Sequence, residues 1–163
     1  MSFPSMLQHD DVVRELVNLY GPKSYLHMGT ITSRIIEAAL VHKSINRLTI
    51  SLPWVIGVQL QIEEKLQKLQ FQGEIEWLYG PLKDNIWSYK FDMVVVDGNP
   101  DEDIRLVDLM HGWSVCNNVL ITYGAKIPSI QKAFGRFISS VNGHSGLSLS
   151  RFTGDTGTMV VAR

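Results

Sequence analysis

The sequence predicts an α/β fold: an open, mostly parallel sheet of about seven strands, helices on both faces, and a C-terminal antiparallel hairpin. Three observations carry this. Apolar residues alternate between β-like and helical spacing through five strands, which implies right-handed crossovers and parallel pairing. The run at 91–96, Phe-Asp-Met-Val-Val-Val, is the most apolar β-like stretch, as a central strand covered on both faces requires. After Val141 the pattern changes to two short β-like runs around Thr153-Gly154-Asp155-Thr156-Gly157, a hairpin signature. There is no repeat, low-complexity tract or linker, so residues 1–163 read as one domain, with 1–22 as an N-terminal helical segment.

Each element has a local reason. Asp10 and Asp11 open a helix carrying Val12, Val13, Leu16, Leu19 and Tyr20 at three- and four-residue spacing, and Gly21-Pro22 ends it. A strand at 25–28 runs into Gly29, and 31–42 reads as helix with Ile35, Ala38 and Ala39 inward. The alternating, β-branched stretch 47–52 is the second strand. Pro53 begins a long helix with Val55, Val58, Ile62, Leu66 and Leu69 on one stripe, broken by Gly73. A short strand follows at 74–78, then a short helix or turn at 81–89, then the central strand at 91–96. Asp97-Gly98-Asn99-Pro100 turns the chain into a helix at 104–113, and 118–123 is the fifth strand. Pro128 sits near the start of a helix bearing Ile130, Phe134, Phe137, Ile138 and Val141, closed by Asn142-Gly143. The hairpin strands are 147–152 and 158–162.

Composition narrows the function. A hydrophobic fraction of 45% with 19% charged residues is that of a globular chain. Net charge is −1 and the 15 Lys and Arg are scattered, which argues against a dedicated nucleic-acid surface. The one cysteine, Cys116, precludes an intrachain disulfide, favours a reducing compartment, and reads as a small hydrophobe before a buried strand rather than a catalytic thiol. The N-terminal residues have neither a basic start nor an apolar run, so no signal peptide is expected, and no stretch is long and apolar enough to span a bilayer. The expectation is a cytoplasmic protein without a membrane partner.

Two motifs carry a resemblance. Residues 25–33, Tyr-Leu-His-Met-Gly-Thr-Ile-Thr-Ser, and 91–99, Phe-Asp-Met-Val-Val-Val-Asp-Gly-Asn, resemble the first-strand turn and the fourth-strand Asp-Gly-Asp/Asn turn of class I S-adenosylmethionine-dependent methyltransferases, in their small O-methyltransferase-like branch. The similarity runs from about Tyr20 to the end of the chain. It implies a Rossmann-like fold, S-adenosylmethionine as cofactor and a small-molecule substrate. The cofactor-binding positions it implies are His27, Gly29, Thr30, Ser33, Ser51, Trp54, Asp97 and Gly98, with Asp97 and His27 as candidate catalytic residues. Gly29 would let helix-terminal amides approach the cofactor, Trp54 would stack on adenine, and the Asp97 turn would face donor and substrate.

The departures from the family pattern are equally specific. His27 replaces the first-strand acid and Ser33 the second turn glycine. No Asp or Glu occurs from Asn46 to Gln61, so the ribose-binding acid is missing and Ser51 is the nearby acceptor. Tyr79-Gly80-Pro81 stands where an acid often follows the third strand. Asp101 and Asp103 lie near Asp97, but Thr122-Tyr123-Gly124 supplies no carboxylate after the fifth strand, so no metal site is expected. His27 reads either as a general base or as a hydrogen-bonded packing residue, and Asp97 either as a functional acid or as a turn acid. His111 and His144 read as surface or packing residues, and Asn99-Pro100 as a common turn. Trp77, Trp87, Tyr79 and Tyr123 are further candidates to line a pocket.

Two functions follow from these residues. One is a methyltransferase acting on a small molecule. The other is a catalytically inactive methyltransferase-fold module for binding or assembly, pairing with another subunit through the hairpin edge at 158–162. A nicotinamide-nucleotide enzyme fits less well, because only Gly29 of the glycine triplet is present.

Overall fold

The computed structural model describes residues 8–52, 56–79, 89–141, 148–152 and 157–163. Helices are α1 (His9–Tyr20), α2 (Ser33–Leu40), α3 (Ile56–Lys68), α4 (Glu102–Ser114) and α5 (Pro128–Val141). Strands are β1 (Ser24–Gly29), β2 (Arg47–Leu52), β3 (Glu74–Tyr79), β4 (Phe91–Asp97), β5 (Cys116–Tyr123), β6 (Ser148–Phe152) and β7 (Thr158–Ala162). They form one seven-stranded sheet in the order β3-β2-β1-β4-β5-β7-β6. The first five pair in parallel, and β7 is antiparallel to both β5 and β6. Strand order reverses between β1 and β4, where Gly29 lies opposite Asp97 in register.

Side chains sort onto two faces. Tyr25, Leu48, Ile50, Met93, Val95, Val119, Ile121 and Tyr123 pack with α1, α2 and α3, while Leu26, Met28, Val94, Val96, Leu120 and Val161 pack with α4 and α5. Every residue of β1 is buried, as is expected of a strand flanked and covered on both sides.

Several boundaries move for identifiable reasons. Helix α2 begins at Ser33, not at Ile31, because Thr32 is extended and its hydroxyl caps the Ile35 amide at 3.3 Å. Helix α4 begins at Glu102, two residues before the apolar periodicity starts, because the Asp101 carboxylate accepts from the amides of Asp103 and Ile104. Gly21 ends α1 in the left-handed region at φ +53°, its amide bonded to the Val17 carbonyl. The Pro53 helix start, most of the 81–89 segment, the Asn142-Gly143 stop and the hairpin turn lie outside the described residues. No described helix is long and apolar enough to cross a membrane.

The hairpin corrects one expectation. Residues 158–162 are not the sheet edge: β7 lies between β5 and β6, every residue buried, and the edge strand is β6. Thr-Met-Val-Val-Ala is apolar enough to occupy an interior position beside β5, so the chain runs outward first and returns inside.

Arg105 fastens the functional end of the sheet. It is 1% exposed, on the buried stripe of α4 with Leu109 and Trp113. Its guanidinium donates to the carbonyls of Asn99 (3.1 Å), Val96 (3.2 Å), Gly98 (2.9 Å) and Tyr123 (3.1 Å), and to the Thr122 hydroxyl (2.9 Å). Thr122 in turn donates to the Val96 carbonyl at 3.0 Å. Replacing Arg105 by Met keeps the apolar stem and strands these acceptors in the core. The expected cost is about 3–5 kcal/mol in urea unfolding. Arg105→Lys should recover only part of it, because one ammonium cannot reproduce the planar fork.

Candidate functional site

A cleft of about 520 Å³ opens at the carboxyl ends of β1, β4 and β5, lined by Gln8, His9, Asp10, Thr30, Thr32, Arg34, Ile35, Asp97 and Tyr123. It sits at the strand-order reversal, where open α/β sheets bind ligands. A depression of similar size, about 550 Å³, lies at the opposite end of the sheet beside Leu40, Asn46 and Phe71. The first cleft is the better candidate, because carboxylate, hydroxyl and phenol groups line it together with an apolar Ile35.

The turn after β1 is built inward. Gly29 has φ +104°, and a Cβ there would stand 2.0 Å from the Asp97 carbonyl oxygen. The Thr30 amide donates to that same oxygen at 2.6 Å. The two contacts draw the turn onto the end of β4 and commit the Thr30 amide to the protein's own backbone.

His27 locks this turn from below. It is fully buried, and its Nε2–H donates to the Thr30 carbonyl at 2.7 Å. That fixes the tautomer, so Nδ1 accepts from the Tyr25 hydroxyl at 3.2 Å. Burial pulls its pKa down to about 4, against the smaller opposing effect of the Thr30 carbonyl. With both ring nitrogens engaged, the geometry is that of a packing histidine that holds the turn.

Asp97 reaches the cleft. Burial raises its pKa to about 6, and the nearby Arg105 guanidinium opposes the rise. Of the sequence-derived candidates, Asp97, Thr30 and Tyr123 line the cleft together. His27 and Gly29 lie behind the turn. Ser51 is buried beside Met28, Ser33 is the exposed first residue of α2, and the Gly98 carbonyl is taken by Arg105. Trp54 and Trp87 lie outside the described residues; Trp77 is half-buried against the core and Tyr79 is exposed at the end of β3. Cys116 is buried and its thiol is pushed up to about 12, chiefly by burial. Asn99 accepts from the Asp101 amide in an Asx turn. Among the described residues no group of three His, Cys, Asp or Glu side chains is placed to hold a metal ion.

Three parts of the site are not evident from motif spacing: Arg105, His9 and the Asp10–Arg34 pair. Arg105 belongs to no motif, although its place on the 105/109/113 stripe puts it in the core. Tyr123, 3% exposed, lies under the His9 ring, which stacks on it at 3.9 Å. His9 also bonds the Thr158 hydroxyl, and Asp10 pairs with Arg34 at 2.8 Å across the cleft rim. The first turn of α1 is therefore a wall of the cleft.

No known family model matches the sequence, and no curated protein does. Solved structures do match. The O-methyltransferase TomG of Streptomyces achromogenes, involved in tomaymycin synthesis and solved with SAM, is 15% identical with a TM-score of 0.70, covering 97% of this chain and 81% of its own. An O-methyltransferase of Bacillus cereus in complex with SAH is 12% identical at TM-score 0.70, covering 99% and 84%. A SAH-bound methyltransferase of Podospora anserina is 11% identical at TM-score 0.65, covering 98% and 81%. The likeness establishes the fold: the chain folds as the class I S-adenosylmethionine-dependent O-methyltransferases do.

Two outcomes are expected. Gly29→Ala places a methyl group against the Asp97 carbonyl at an unfavourable φ and should cost at least about 3 kcal/mol in denaturant unfolding. His27 protonates near pH 6.5 when unfolded and near 4 when folded, so the unfolded state binds the extra proton and stability falls as pH drops across that window. An NMR titration should show the His27 imidazole neutral down to about pH 4, and His27→Phe should be less stable at pH 7 by about 1–3 kcal/mol yet lose this acid-dependent decline.

Proposed function

We propose that this chain is an S-adenosylmethionine-dependent methyltransferase-like protein acting on a small molecule, with Asp97 as the acid–base residue of its cleft. The observation that carries the reading is the cleft's position: it opens at the β1–β4 reversal and contains the Asp97 carboxyl, in a fold shared over nearly the whole chain with cofactor-bound enzymes.

The donor set fits the cofactor unevenly. Asp97 could take its amino group, with the Thr30 and Thr32 side chains beside it. The ribose hydroxyls have no acid between Asn46 and Gln61, leaving Ser51. When bound, the cofactor supplies an electrophilic methyl group. The chain's own contribution is positioning within the cleft and an Asp97 carboxylate that is mostly ionised above pH 6 and able to accept a proton.

A specific observation favours a second reading, a non-catalytic binding module. The Thr30 amide and the space beside Gly29 are both taken up by the Asp97 carbonyl, and the ribose acid is absent. Calorimetry with S-adenosylmethionine and its demethylated product separates the two. The enzyme reading expects saturable binding that Asp97→Asn weakens roughly tenfold, the worth of one charge-assisted hydrogen bond. No heat from either ligand at about 1 mM would leave the binding module.

A further inference from the structure

Helix α4 hides one stripe and leaves another in solvent. Arg105, Leu109, Gly112 and Trp113 face the sheet, and Arg136 of α5 bonds Glu102 and Asp103 along one flank. On the side away from the sheet, Ile104 is 48% exposed, Val107 50% and Met110 39%. Spaced three residues apart over nearly two turns, they form one apolar ridge rather than scattered side chains. Folding does not account for them, since none of the three belongs to a core cluster.

The ridge is self-complementary. Ile104 and Met110 stand equally far from Val107 in the chain, and so do Asp103 and His111. An antiparallel copy of α4 centred on Val107 therefore sets Val107 beside its twin and Ile104 level with Met110. It also brings the Asp103 carboxylate of each copy level with the other's His111 imidazole, which can donate to it. A parallel copy would instead set Asp103 against Asp103 and align the two helix dipoles, both unfavourable.

We propose that the outer face of α4 is a homodimer interface, in which two copies of this chain pair α4 antiparallel about Val107. One helix face from each copy is a small contact, so the dimer is reversible rather than obligate. The inference needs no cofactor and stands apart from the methyltransferase reading. No residue of α4 lines the strand-end cleft, so the pairing does not occupy it.

Sedimentation equilibrium of the intact protein from about 1 to about 300 μM tests it, because a reversible dimer follows mass action. The wild type should move from monomer towards dimer across that range. Val107→Lys puts two ammonium groups on the two-fold axis and should weaken association at least about tenfold. Its urea unfolding should match the wild type's, because Val107 is half exposed. Cross-linking reads the register. With diamide as oxidant, Val107→Cys should form an intermolecular disulfide, while Ser114→Cys, exposed on the same face two turns away, should not. The native thiol, Cys116, is buried and stays out of that reaction. A wild type that is monomeric throughout, association unchanged by Val107→Lys, or cross-linking of Ser114→Cys that equals or exceeds that of Val107→Cys would each overturn the assignment.

Discussion

The Arg105 guanidinium, sealed beneath the ends of β4 and β5, sets the position of everything at the functional end of the sheet. Its three nitrogens converge there on four backbone carbonyls and one hydroxyl, and two of the carbonyls, those of Gly98 and Asn99, belong to the turn that follows Val96. A buried cation without a carboxylate bonded to it is unusual; here the charge is spread over backbone dipoles, and Asp97 and Asp108 act from further away. Because the turn is held through its carbonyls, the Asp97 side chain on the opposite face is left to enter the cleft. The same guanidinium ties the Tyr123 carbonyl, so two residues that line the cleft share one anchor.

Two titratable groups at the carboxyl end of the sheet have been moved in opposite directions by the same cause. Burial disfavours charge on both, so His27 stays neutral and Asp97 holds its proton to an unusually high pH. The difference lies in what each group can do with its neutral form. His27 has spent both nitrogens on Tyr25 and the Thr30 carbonyl, which makes it a rigid part of the turn. Among the described residues Asp97 has no such commitments in its side chain, and it borders open volume, which is the condition for chemistry or for ligand exchange.

The fold was legible in the sequence because its signals are local and redundant. The 91–96 run could only be a central strand, and Gly29 could only be a turn. Boundaries shifted where cap chemistry overrode periodicity, at Thr32 and Asp101. The hairpin order was not legible, since a two-strand pattern does not say which strand returns inside. The site was half legible. Asp97 and Thr30 were indicated by strand-end position, whereas Arg105 and the α1 wall were not, because the bonds of Arg105 to β5 and of His9 to β7 join segments 17 to 149 residues apart in the chain. No spacing rule reaches across such distances.

Gly29 illustrates why a surviving motif and a surviving activity must be argued separately. In a cofactor turn the glycine is ordinarily explained by the approach of the ligand. Here a side chain is excluded by the Asp97 carbonyl, 2.0 Å from where a Cβ would stand. The glycine is therefore required by the packing of β1 against the end of β4. The ribose acid has no such structural employment, since a carboxylate at the end of β2 contributes nothing to the sheet. The turn testifies to the fold, and testimony about chemistry has to come from the group that borders open space, Asp97.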